Sequence, residues 1–283
     1  MGLKTLLKEI TPSIIKTRYE ASKDLKELTA IQQLGCDTKN LRQKSDLPLK
    51  PIFESGEIEL LWNSSAKDIS IFTIPDGSGG VNPGDRRALY YLFSSLKPAS
   101  VLEIGTHIGA STLHIAAALY MSMIKNGEDA HLTTVDIKDV NDPQKRPWLE
   151  FGINHSPIEM INKLNYGDYV TFITDTSLHF VANCKQTFDF IFLDGSHAAN
   201  IVYQEVPLVL KLLNQNGVIL LHDYFPGVKP LWSGGEVIPG PFLATQRLIK
   251  EGVHVTVLPL GKLPWPTKRQ SNVTSLALLL ASN

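Results

Sequence analysis

The chain of 283 residues has only two cysteines, Cys36 and Cys184. Two cannot build a disulfide framework, so nothing in the composition requires an oxidising compartment. It also lacks an excess of charge of either sign. Its 27 Lys and Arg face 28 Asp and Glu, for a formal charge of −1. A general drive toward nucleic acid or an anionic membrane surface is therefore absent. Long apolar runs are missing too. Ile115–Met121 is broken by Ser122 and Leu276–Ala281 is short, against the roughly 20 residues that span a bilayer. The first 16 residues alternate apolar and charged types, without the continuous apolar centre of a secretory signal. Leu6 stands where a myristoylation pattern needs Ser or Thr. The expectation is a cytoplasmic protein with no membrane and no nucleic-acid partner.

What is present is a globular composition, 43% hydrophobic and 19% charged, over a length that buries a substantial core. The first 50 residues carry ten Lys/Arg against six Asp/Glu. Within them Leu3, Leu6, Leu7, Ile10, Ile14, Leu25, Leu28 and Ile31 recur at helical spacing. Thr11-Pro12 has the form of an N-cap and first-turn proline, so two helices are expected to meet there. Residues 40–84 read as irregular, and IPDGSGGVNPGD (74–85) as a loop, either a lid or a connector. The expected organisation is an extension over 1–84, covering a neighbour or contacting a second subunit, followed by one domain over 85–283.

From residue 85 the pattern alternates. Helices are expected over 85–96, 111–125, 156–165, 176–184, 198–213 and 242–251. Apolar strands are expected at SVLEIG (100–105), HLTTVD (131–136), YVTFIT (169–174), FDFIFLD (188–194), GVILLHD (217–223), HVTVLPL (254–260) and SLALLLA (275–281). Continuous apolar strands between helices predict a parallel sheet covered on both faces. No helix separates the last two strands, so they can pair antiparallel. The fold class is α/β: a doubly wound, Rossmann-like, seven-stranded sheet, mostly parallel, with a terminal antiparallel hairpin.

Ligands of such sheets bind beyond the carboxyl ends of the strands. The first strand runs into Glu103-Ile-Gly105-Thr106-His107-Ile-Gly109-Ala-Ser111. Glycines there let main chain approach a ligand, and the following helix offers free N–H groups. The middle glycine of a dinucleotide fingerprint is replaced by His107, which leaves less room for a pyrophosphate. Glu103 suits a ligand ammonium group, and Asp136, ending the second strand, suits ribose hydroxyls. S-adenosylmethionine (SAM) carries both.

At the same edge, Asp194 and Asp223 lie at the tips of the fourth and fifth strands, with His222 beside them. Two carboxylates and an imidazole can hold a divalent metal, whose work would be to bind an acceptor hydroxyl and lower its pKa. His197, three residues after Asp194, is a candidate general base. His222 suits magnesium poorly. Either Mg²⁺ is held by Asp194, Asp223 and waters, or the site favours a softer ion such as Mn²⁺ or Fe²⁺, with His222 itself a ligand or a group bonded to main chain behind the site. A site without metal, with Asp223 bonding the acceptor directly, is the third reading. His107 and His114, and the trio Tyr90, Tyr91 and Phe93, read as packing. Trp148 and the LPWP turn (263–266) read as pocket wall or local packing, and the loop after Asp223 is expected to touch the acceptor.

The element order is that of the class I SAM methyltransferase fold. The run Glu103, Gly105, Gly109, Ser111 resembles E-[IL]-G-x-x-x-G-x-S, motif I of metal-dependent small-molecule O-methyltransferases. The pair DGSH (194–197) and HD (222–223) resembles the bacterial family of macrocin-type sugar O-methyltransferases and cephalosporin-hydroxylase-associated proteins. The resemblance covers about residues 85–281. It implies that Ser111 touches the SAM carboxylate, that Asp136 holds the ribose and that Asp175 or Thr176 lies near the adenine. It also implies that Asp194 sits near the SAM amino group. In catechol-type enzymes a lysine occupies the place of His197. Relatives of this kind are often oligomers, so a homo-oligomer is implied.

The expectation is a SAM-dependent O-methyltransferase of a small-molecule hydroxyl acceptor, a natural product or sugar. SAM binders would be Glu103, Gly105, Thr106, Gly109, Ser111, Asp136, Asp175, Thr176 and Asp194. His197 and Asp194 would be catalytic, and Asp194, His222 and Asp223 would hold Mg²⁺ or Mn²⁺. The alternatives are a metal-independent N- or carboxyl-methyltransferase and a non-catalytic SAM-binding accessory protein.

Overall fold

In the computed structural model, residues 3–268 and 270–282 are described. Seven strands form one sheet: β1 (Ser100–Ile104), β2 (His131–Asp136), β3 (Val170–Thr174), β4 (Phe188–Leu193), β5 (Leu213–Leu221), β6 (Val255–Pro259) and β7 (Ala277–Ala281). Their spatial order is β3-β2-β1-β4-β5-β7-β6. The first five pair in parallel. β7 inserts antiparallel between β5 and β6. The chain moves outward one way from β1 to β3, then returns to place β4 on the other side of β1. That reversal opens a crevice at the carboxyl ends of β1 and β4.

Strand periodicity assigns the core. Val101, Phe190, Phe192, Leu220 and Leu278 face one side, and Leu102, Ile191, Leu193, Ile219 and Leu279 the other. The first face is covered by α3 (Gly56–Ile69), α4 (Pro83–Leu96), α5 (Ala110–Ser122) and α6 (Pro157–Lys163). The second is covered by α7 (Ser177–Asn183), α8 (Ala199–Lys211) and α9 (Gly240–Lys250). Helix α1 (Leu3–Thr29) lies against α8 and α9. Among the described residues no helix is long and apolar enough to cross a membrane.

The first 84 residues depart from the expectation in two places. Helix α1 runs through Thr11-Pro12 without a junction; a proline there costs one main-chain hydrogen bond, and its fixed φ is helical. The stretch expected to be irregular contains the short α2 (Leu49–Phe53) and the 14-residue α3. The Ser55 hydroxyl caps α3 by accepting from the Ile58 N–H. Its apolar face, Ile58, Trp62 and Ile69, packs beside α4 and α5, with the Trp62 ring 5.3 Å from that of Tyr90. Segment 40–43 is tied into the sheet as well: Arg42 N–H donates to Gly217 O, and Ala281 N–H donates to Arg42 O.

Candidate active site

The turn from β1 into α5 builds the floor of the crevice. Gly105 has φ +101°, and a Cβ on it would lie 2.3 Å from the Asp194 carbonyl oxygen. Only glycine lets the β1 and β4 tips come this close. Gly109 closes the turn at φ +74°, with Pro157 against it. Between them His107 donates its main-chain N–H to Asp136 Oδ2 at 2.8 Å, and Lys138 N–H holds Oδ1 at 2.9 Å. The Asp136 carboxylate is thereby fixed at the end of β2.

A cleft of about 720 Å³ opens over this turn. It brings together Gly105, Thr106, Ser111, Asp136, Asp175, Thr176, Asp194, His197, His222 and Asp223 from the expected set. Asp175 and Thr176 sit at the start of α7. The Thr176 hydroxyl caps that helix by accepting from His179 N–H, and the hydrogen bond from His179 holds the Asp175 carboxyl below its ordinary pKa. Trp148 and Phe151 wall the cleft, with the Phe151 ring 4.5 Å from that of His107. Gly79, Gly80 and Val81 close it from the loop before α4.

Two expected residues lie behind the lining instead of in it, Gly109 and Glu103. Glu103 is fully buried, pointing from β1 toward α5. Its Oε2 accepts from the Thr112 and Thr134 hydroxyls at 2.6 Å each, and Thr134 in turn accepts from Thr106. Burial pushes the carboxyl up to about 7, against the opposing pull of the Ser111, Thr112 and Thr134 hydroxyls. Glu103 thus holds the turn from beneath through a hydroxyl chain.

The reaction edge is organised by three acids and two histidines. Asp194, His197 and Asp223 each aim one ligating atom into a common space, all within 4.8 Å of one another. His197 Nε2 lies 3.6 Å from Asp223 Oδ2, and the Ser275 hydroxyl donates to Asp223 Oδ1. His222 is engaged differently from the expectation of a metal ligand. Its Nδ1 donates to Asp194 Oδ1 at 2.8 Å, and its Nε2 faces Asp85 Oδ2 at 3.4 Å. Both ring nitrogens are taken by carboxylates, so His222 has no lone pair to give an ion. Burial works against the charged ring, but Asp194, Asp223 and Asp85 outweigh it and hold the His222 pKa well above its ordinary value.

Asp85 escaped the sequence reading. Its only signal was a first-turn acid behind an Asn82 cap, which is ordinary helix chemistry. The loop after Asp223 was expected to reach the acceptor, yet among the described residues none of 224–241 lines the cleft. Its Trp232 packs instead on Phe225, under the Lys268 ammonium. Trp265 of the LPWP turn is core, edge-on to Phe53 and tilted against Tyr91. His114 is fully buried, bonded to Ala110 O, with its pKa pushed down to about 3 by burial and the nearby Arg86.

Residues 102–224 match the family model described as a methyltransferase domain. Residues 102–224 are thus similar to a methyltransferase domain, and the sheet around them has the Rossmann-like fold of the class I methyltransferases. The fold recurs in solved methyltransferases of low identity. The O-methyltransferase TomG of Streptomyces achromogenes, solved with SAM, superposes with a TM-score of 0.52 at 18% identity, over 81% of this chain and 91% of its own. An O-methyltransferase of Bacillus cereus, solved with S-adenosylhomocysteine (SAH), gives 0.52 at 19%, over 81% and 92%. The SAH-bound methyltransferase PaMTH1 of Podospora anserina gives 0.51 at 16%, over 89% and 100%. No curated protein matches the sequence. The matched segment runs from β1 to just past β5, and so contains the turn and all of the reaction edge except Asp85.

Proposed function

We propose that the chain is an O-methyltransferase that moves the methyl group of SAM to a hydroxyl of a small molecule. The observation that carries this reading is the group Asp194, His197 and Asp223 opening into the same cleft as the Gly105–Ser111 turn. A sulfonium donor held by Asp136 and the turn would present its methyl toward that group. An acceptor hydroxyl needs to lose its proton there, and His197 is the half-buried base at hand, oriented by Asp223. Asp194, fixed by His222, is suited to accept from the SAM ammonium group. The three solved structures of similar fold named above are methyltransferases, and two of them are O-methyltransferases.

A second reading concerns a divalent metal, and the donor set fits one. Two carboxylates and one imidazole suit a borderline ion such as Mn²⁺ better than Mg²⁺. Asp194, His197 and Asp223 would hold it, with His222 behind Asp194. Bound there, the ion would supply Lewis-acid polarisation of the acceptor oxygen.

The test is label transfer from methyl-tritiated SAM to a panel of catechols, phenols and sugars, run with and without chelator. Label on hydroxyl groups is expected. Transfer only to amines or carboxylates overturns the O-methyl reading. Loss of turnover in chelator with SAH affinity intact assigns His197 to the ion, and full turnover in chelator leaves it as the base.

A further inference from the structure

Helix α4 precedes the sheet, yet its first turn reaches the reaction edge. Asn82 caps it, accepting from the Asp85 N–H, and the Asn82 amide also donates to Asp85 Oδ2. The Trp265 indole clamps the same turn from outside by donating to Gly84 O at 2.9 Å. Asp85 is completely buried, and its Oδ1 has no hydrogen-bond partner. A cap explains neither its burial nor its direction, because a helix-capping acid is as well served in water. A buried polar side chain without a hydrogen-bonding neighbour is costly, and beyond its own helix turn the neighbour here is the His222 ring, with Nε2 3.4 Å from Oδ2.

We propose that Asp85 is a positioning residue of the active site: through His222 it fixes the Asp194 carboxylate in the orientation that faces the cleft. The chain of contacts is Asp85 Oδ2 to His222 Nε2, then His222 Nδ1 to Asp194 Oδ1. With Asp85 in place, the imidazole ring cannot turn away without giving up its Asp85 contact together with its Asp194 hydrogen bond. Nδ1 is therefore always presented to Asp194, which keeps one oxygen bound and the other free for the cleft. The helix that carries Asp85 lies outside the matched methyltransferase segment, so the core domain borrows this support from the preceding region. The inference rests on the reading that the cleft takes SAM with Asp194 beside its ammonium group.

The experiment uses the full chain and the Asp85→Asn variant, which preserves shape and the Asn82 contact. SAH affinity by calorimetry is expected to fall about tenfold, the same loss expected of Asp194→Asn. In a His222→Gln background, Asp85→Asn is expected to add less than twofold, because the link is already cut. A crystal structure of Asp85→Asn without ligand is expected to show the Asp194 carboxylate displaced from His222. An equal loss in both backgrounds, or an Asp194 left in place in that structure, overturns the proposal. Failure of the wild-type chain to bind SAH overturns the SAM reading instead, and the ligand-free structure still decides the Asp85 link. If Asp85→Asn does not fold, Asp85→Ser takes its place in both backgrounds and in the ligand-free structure, with the same displaced Asp194 expected.

Discussion

The Asp24 carboxylate of α1 accepts a hydrogen bond from the main-chain N–H of Ala199, the first residue of α8, at 3.5 Å. Helix α8 follows directly on His197-Ala198, and Ala198 has no side chain to cap it. The N-terminal helix thus supplies from a distance the anionic partner that the α8 N-terminus lacks locally. Asp24→Ala should cost about 1 kcal/mol, which for a chain of this size lowers Tm by about 2–4 °C. Hydrogen exchange at Ala199 and its neighbours should speed up before that of β4. Calorimetry and exchange together check it, and an unchanged Ala199 amide would remove the cap.

At Gly105 the prediction is of strain. Alanine there would face φ +101° and a Cβ 2.3 Å from the Asp194 carbonyl oxygen. The β4 tip would have to move, carrying Asp194 with it. Gly105→Ala should lose on the order of 3 kcal/mol of stability and SAH affinity by more than tenfold. Denaturant melts and calorimetry measure both, and a variant that binds SAH normally would show that the turn does not carry the cofactor.

Much of the fold is legible in the sequence because the central strands bury both faces. Val101-Leu102 and Phe190-Ile191-Phe192-Leu193 read as continuous apolar runs, and each ends on a chemistry-bearing residue. The acids Asp136, Asp194 and Asp223 are therefore legible at one sheet edge from the sequence alone. Helix α3 was hidden by its middle, Asn63-Ser64-Ser65, although Ser65 is buried against Tyr90 through a hydroxyl bond. The start of β5 was hidden in the same way by Asn214-Gln215-Asn216, which lie in the irregular stretch between the Leu213–Phe188 and Val218–Phe190 pairs and carry no apolar pattern. Asp85 was hidden for a different reason. Its partner His222 lies 137 residues away, and no local spacing reports a contact of that length. The role of His222 followed the same rule: its type suggested a ligand, and its two carboxylate partners, visible only in three dimensions, gave it another task.

Trp148 gives the cleft an optical reporter. It lines the cleft wall and is nearly buried, whereas Trp62 and Trp265 belong to the core around α4 and Trp232 packs on Phe225. SAH should change the intrinsic tryptophan emission of the wild-type chain, and Trp148→Phe should abolish most of that change while affinity falls less than tenfold. A full change retained in Trp148→Phe would place the ligand elsewhere.

Glu205 sets an expected pH dependence of stability. It is buried on α8, its Oε1 has no partner, and burial pushes its carboxyl up to about 7 despite a hydroxyl at Ser177. In the unfolded chain the same group titrates near the ordinary carboxylate value. Between those two values the folded state keeps a proton that the unfolded state releases, so stability falls as pH rises through this window and levels off above it. The stabilisation from this group is complete at low pH and is lost by about pH 8, a swing on the order of 3 kcal/mol. Glu103, pushed up to about 7 by its own burial, adds a slope of the same sign. Glu205→Gln removes one of the two titrations while keeping the shape. Urea melts from pH 5 to 8 should show a shallower decline in the variant and a higher stability than wild type at pH 8. Parallel curves for the two proteins would mean that Glu205 folds already ionised.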